Sequence, residues 1–226
     1  TYPITHFSTD KISYKFFRYS DVFPGNDTVQ RVDISLYKAN KFATANPFSP
    51  KQGLSSFMHS DLPKFAVGVH SYERYFIPNI WASIDLHYYS NEKGLKMYYV
   101  LKPGANVNDI VWQINGATTH TIVGNNLKIT SFRGSVEFDQ PSVYTVDWQG
   151  NPVTLTTTAT WSSLGGGAYK LNVGAYNTAW PLIIEIDNGN GTIGSPSNVD
   201  NIASCTYYGG FEDDGIKAVD VDNNTG

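Results

Sequence analysis

Residues 81–117 read WASIDLHYYSNEKGLKMYYVLKPGANVNDIVWQINGA, and their pattern decides the fold. Residues 84–89 alternate apolar and polar side chains, the period-2 rhythm of a half-buried strand. The polar run Ser90-Asn91-Glu92-Lys93-Gly94 turns the chain, and residues 95–101 supply the antiparallel partner. Pro103-Gly104 ends that strand, and residues 110–114 begin another.

The same rhythm extends outward on both sides. Upstream, residues 67–76 alternate around Tyr72 and Tyr75. Residues 4–7 and 12–18 form a pair across Ser8-Thr9-Asp10-Lys11, and residues 29–37 follow the turn Pro24-Gly25-Asn26-Asp27. Between them, residues 40–64 are rich in Pro, Ser, Asn and Lys and read as a long irregular connection, packed on the sheets or carrying function. Downstream, strands are expected at 119–123, 127–132 after Gly124-Asn125-Asn126, 136–138, 143–148, 153–161, 168–173 and 182–186. Roughly a dozen strands at about 8–12-residue spacing, with no sustained helical period, predict an all-β, multi-stranded antiparallel sandwich-like domain.

This domain is expected to occupy residues 1–186, followed by a polar linker over 187–203. Residues 204–226, SCTYYGGFEDDGIKAVDVDNNTG, begin a further strand unit that needs partners outside itself.

A chain of 226 residues buries about 70% of its unfolded surface, enough for a core without covalent staples. The single cysteine, Cys205, excludes an internal disulfide. Aromatic residues make up 14% of the chain and charged residues only 16%, a balance suited to aromatic sheet faces and contrary to disorder. A net charge of -4 supplies no basic stripe for nucleic acid. No stretch reaches the roughly 18 apolar residues of a membrane span, so no membrane insertion is expected.

Candidate chemistry is sparse. The histidines at 6, 59, 70, 87 and 120 fall in no metal-binding frame, although Asp85 and His87 share a strand face. Asp85, Glu137, Asp139, Asp147, Glu185 and Asp187 lie on or near strands, and no spacing singles out an acid/base pair. Exposed aromatic rings stack on sugars. Trp148, before the Gln149-Gly150-Asn151 turn, and Trp180, beside Pro181, are the glycan-binding candidates, whereas Trp112 and Trp161 are expected in the core. The acidic loops at 187–191 and 220–224 leave calcium open as the one cofactor, with Asp220 and Asp222 as ligands. The same composition also makes ordinary Asx turns.

Several segments, taken in order, resemble a family of large secreted bacterial proteins. Residues 81–117 carry its IDL strand, hairpin, PGA turn and closing GA strand, preceded by VGVHSYERYFIPNI at 67–80. FDQPSVYTVDWQGNPV (138–153) and VGAYNTAWPLIIEID (173–187) resemble two later segments, with Thr145 where the family often has Gln and Asn177 where it often has Asp. TYYGGFEDDGIKAVDVDNNTG resembles the opening of a seven-bladed β-propeller (SBBP) repeat. The resemblance is to the N-terminal β-rich domain of unknown function that precedes SBBP repeats, often in proteins with a gliding-motility-type sorting domain for type IX secretion.

This resemblance implies that residues 204–226 are the truncated start of a propeller-type repeat whose remaining repeats lie outside this sequence. It brings no catalytic residues, so no enzyme is expected. The expectation is a non-catalytic extracellular or cell-surface module, structural or adhesive, with a protein or surface glycan as partner. The alternatives are a glycan-binding or carbohydrate-active accessory domain, and a component or cargo of a type IX secretion or gliding assembly.

Overall fold

The computed structural model describes residues 4–18, 28–57, 66–91, 94–146, 149 and 151–187. Strands β1 (Ile4–Ser8), β2 (Lys11–Arg18) and β3 (Thr28–Leu36) are successive antiparallel neighbours. The chain then crosses to a second sheet as β4 (Asn46–Phe57), β5 (Ala66–Trp81), β6 (Ile84–Asn91) and β7 (Gly94–Leu101), a continuous meander. A 3-10 turn, Val107–Asp109, leads back to the first sheet as β8 (Val111–Asn115), which pairs with β3. Next, β9 (Thr119–Val123), β10 (Asn126–Thr130) and β11 (Ser135–Phe138) make a small third sheet. Finally β12 (Ser142–Val146) and β13 (Pro152–Thr154) join the second sheet, β14 (Ala159–Gly165) and β15 (Ala168–Val173) the first, and β16 (Leu182–Asp187) the second again.

The six-stranded sheet runs β1-β2-β3-β8-β15-β14 and the seven-stranded sheet β13-β12-β16-β7-β6-β5-β4. Their pairings are antiparallel, and no α-helix occurs among the described residues. The all-β, sandwich-like architecture is the one the alternating pattern predicts. β16 enters the interior of its sheet, between β12 and β7.

Alternation places one side of each strand in the core. Ile12, Tyr14 and Phe16 of β2, Val32, Ile34 and Leu36 of β3, and Trp112 and Ile114 of β8 are buried from the six-stranded sheet. Opposite them lie Leu86 and Tyr88 of β6, Met97, Tyr99 and Leu101 of β7, and Leu182, Ile184 and Ile186 of β16. Leu127, Ile129, Val136 and Phe138 of the third sheet join the same apolar cluster. Trp112 packs edge-on to Phe138 at 4.9 Å between ring centres and tilts against Trp161 at 4.8 Å. Both tryptophans are core residues, as their strand positions predict.

Two stretches differ from the sequence expectation. Residues 40–64 are not wholly irregular, because Asn46–Phe57 forms β4. Its Pro47 and Pro50 are tolerated because β4 is an edge strand, and its register is broken between Pro50 and Leu54 and again between Ser55 and Phe57. Residues 153–161 are two strands rather than one, since β13 pairs with β12 while β14 pairs with β15 on the other sheet.

Candidate functional site

The outer face of the seven-stranded sheet carries rings where an antiparallel sheet commonly turns polar side chains to solvent. Register sets them side by side: Phe76 lies opposite His87, and His87 opposite Tyr98. His87 stacks on Tyr98 with ring centres 4.4 Å apart and planes 7° from parallel. Phe76 lies 4.6 Å from His87 on its other side, and Phe48 of β4 continues the row at 6.1 Å. Tyr89 meets Tyr98 edge-on at 5.9 Å. The result is an unbroken run of ring contacts four strands wide, about 14 Å at ordinary strand spacing.

Charged groups border this row where β7 meets β16. Lys96 Nζ lies 2.6 Å from Asp187 Oδ2 and 3.6 Å from Glu185 Oε1. Tyr89 Oη donates to Glu185 Oε1 at 2.6 Å. Asn126 Nδ2 reaches Glu137 and Asp139 at 2.9 and 3.2 Å, and the Asp139 amide donates to the Asp187 carbonyl at 3.0 Å. Four of the six carboxylates singled out in the sequence therefore converge here. Burial, then the charges of Asp187 and Glu137, push the Asp139 carboxyl above the usual range, with Lys96 opposing. Burial also raises the Tyr89 phenol, and its hydrogen bond to Glu185 adds to that shift.

Asp85 and His87 do share one face, but their partners differ. Asp85 is buried and accepts from the Asn79 amide and from Lys102 Nζ, both at 2.8 Å. Burial lowers the His87 pKa; Asp85 opposes this, while Arg74 and Lys102 add to it. The pair is thus divided between an anchored backbone bend and a ring stack, with no shared proton path.

The remaining candidates fall elsewhere. Trp180 is 47% exposed in the turn before β16, apart from the row. Trp148, Asp147, Asp220 and Asp222 lie outside the described residues. Of the acidic loop at 187–191, Asp187 alone is described, and there it pairs with Lys96. No group of three or more His, Cys, Asp or Glu is placed to hold a metal ion among the described residues.

The later segments of the sequence pattern are spatial neighbours. Residues 138–153 contribute β12, residues 173–187 contribute β16, and these strands pair through Ser142 with Glu185, Val143 with Ile184, and Tyr144 with Ile183. Thr145 Oγ1 donates to the Pro181 carbonyl at 2.6 Å, which makes threonine at this position a buried link between the two segments. A family model spans this whole arrangement, matching residues 6–185. The chain belongs to the DUF7948 family, a domain of unknown function. The DUF7948 match thus runs from β1 into β16 and takes in all three sheets. Neither curated proteins nor solved structures gave a match.

Sequence reasoning missed Lys96, Tyr89 and Tyr98 as neighbours of the carboxylates. The available signal was the pairing of residues 84–91 with 94–101, which puts Tyr89 opposite Lys96 and His87 opposite Tyr98.

Proposed function

We propose that this domain is a non-catalytic structural or adhesion module of a secreted or cell-surface bacterial protein, standing ahead of a β-propeller that starts at residues 204–226. The aromatic row on the seven-stranded sheet carries the proposal. A broad face of half-buried rings recognises a partner by shape and desolvation over an area, as protein interfaces do. The β4–β5 hairpin supports it as well. Only residues 74–81 of β5 pair with β6, so residues 66–73 pair with β4 alone among the described residues. Leu54 and Val67 on this ribbon are 60% and 67% exposed.

The carboxylates are engaged in ways that fit this reading. Glu185 and Asp187 share Lys96, and Glu137 and Asp139 share Asn126 on a sheet surface. Glycoside hydrolysis instead needs two carboxyl groups facing a substrate across a cleft.

Two measurements test the proposal. The complete coding sequence should continue into propeller repeats, and an unrelated downstream half overturns the placement. Antibody labelling of intact producing cells should detect the domain without lysis, and signal only after lysis overturns the extracellular assignment.

A further inference from the structure

Three segments of the chain line an open cleft of about 610 Å³, a volume in the range of small-molecule sites. Its lining includes Tyr37 and Lys38 just after β3, Asn79 and Trp81 at the end of β5, and Asn108 and Asp109 of the 3-10 turn. Backbone hydrogen bonds fix the three pieces together. The Tyr37 amide donates to the Val111 carbonyl at 2.8 Å, and the Asn40 amide to the Ile80 carbonyl at 2.7 Å. Trp81 Nε1 donates to the Tyr37 carbonyl at 3.0 Å.

The backbone is also strained here. Lys38 and Asn79 have φ of 54° and 48°, and Ser83, just beyond, has 60°. Side chains other than glycine seldom adopt this left-handed region, and such positions gather where a site is shaped in advance. The buried Asp85 carboxylate holds the Asn79 amide in place. This explains why an acidic side chain is buried in β6 when its strand needs none.

We infer that this cleft binds a neutral saccharide, a hexose or N-acetylhexosamine unit of a surface glycan. The inference rests on the reading of the domain as a binding module and names a ligand class and a place for it. Tyr37 is 52% exposed, with Lys38 Nζ 5.3 Å from its ring centre, and its remaining exposed ring surface can meet the C–H face of a pyranose. Trp81 is buried with its N–H already committed, so it contributes apolar ring surface to the lining. Asn79 and Asn108 bring carboxamides, which both donate to and accept from hydroxyl groups. Asn108 is itself positioned by Lys170 Nζ at 3.3 Å and by Asn106. The lining holds one ammonium, Lys38, and one carboxylate, Asp109, which accepts from Asn106 Nδ2 at 3.1 Å. An anion such as phosphate selects clustered cations, and calcium selects several oxygen anions, so the lining favours an uncharged hydroxylated ligand.

The test is a ¹H–¹⁵N titration of the whole chain with methyl glucoside, methyl galactoside, methyl mannoside and N-acetylglucosamine, and with tetrasaccharides of each. Saturable shifts at the Trp81 indole and at the Lys38, Asn79 and Asn108 amides are expected for at least one probe. Tyr37→Ala should weaken that binding about tenfold or more with the unfolding midpoint unchanged. Absence of saturable shifts at these signals with every probe overturns the inference. So does Tyr37→Ala binding as tightly as the parent, or inorganic phosphate displacing the sugar. Each of these results leaves the surface-module reading to its own two tests.

Discussion

Trp112 Nε1 donates a 2.9 Å hydrogen bond to Tyr99 Oη across the gap between the two large sheets, and both residues are fully buried. Trp112 stands on β8 and Tyr99 on β7, so the bond fixes how the sheets sit relative to each other. Tyr99→Phe removes the acceptor while keeping the ring. It should cost about 1–3 kcal/mol in urea unfolding, because the indole N–H is left buried and unpaired. Combining it with Trp112→Phe should cost less than the sum of the single changes, and strict additivity would deny the link.

Gly116 follows β8 with φ of 78°, and a Cβ built there meets the Arg31 carbonyl oxygen of β3. Gly124, in the β9–β10 turn, has φ of 61° but open space around its Cβ position. Gly124→Ala should therefore cost only about 1 kcal/mol, the backbone strain alone. Gly116→Ala should cost clearly more, since the neighbouring β3 backbone must also move. Equal unfolding midpoints for the two variants would contradict the close approach.

Acid should weaken the domain through His87. Burial holds its folded pKa below the ordinary 6.5, so the unfolded chain binds the extra proton more readily. Stability is therefore greatest above 6.5 and falls as the pH drops from there towards the depressed folded value. His87→Gln should flatten this slope in thermal unfolding followed between about pH 7 and 5. A residual slope is expected from His6, whose pKa is likewise lowered by burial and by Lys15 and Arg31. An unchanged profile in His87→Gln would count against the buried stack.

Strand existence was legible wherever one face is buried and the other is not, as in β3, β6, β7 and β15. β4 was not, because Pro47, Pro50 and Gly53 mimic a loop and only its edge position makes them acceptable. The threonine-rich stretch at 153–161 keeps its β preference while the chain changes sheets, so local pattern cannot reveal the break. The cleft was harder still: Tyr37, Asn79 and Asn108 belong to three segments far apart in sequence, which only the fold brings together. Lys96 became meaningful only once β16 was placed beside β7.

Lys96 is the cation nearest a crowded group of carboxylates. Lys96→Met should destabilise the domain by about 1–3 kcal/mol, since Asp187 and Glu185 lose a partly buried partner. Added salt should recover part of that loss. Asp139→Asn should act in the opposite direction near neutral pH, because the raised Asp139 pKa means that ionisation there opposes folding. Its benefit should shrink on acidification towards the pH at which the parent carboxyl is protonated. Chemical denaturation at two ionic strengths and two pH values distinguishes these outcomes.

The position of β16 has a kinetic consequence. The strand that fills this interior position, third of seven in the sheet, is the last of the described strands in the chain, and β12 reaches β7 only through it. During synthesis, β4 to β7 can pair early as a local meander, but the sheet stays split until residues 182–187 emerge. Non-local closure of this kind slows folding and leaves strand edges open to other chains in the interval. A nascent chain halted before Leu182 should therefore be open to proteases and prone to aggregate, while one extended past Asp187 can close.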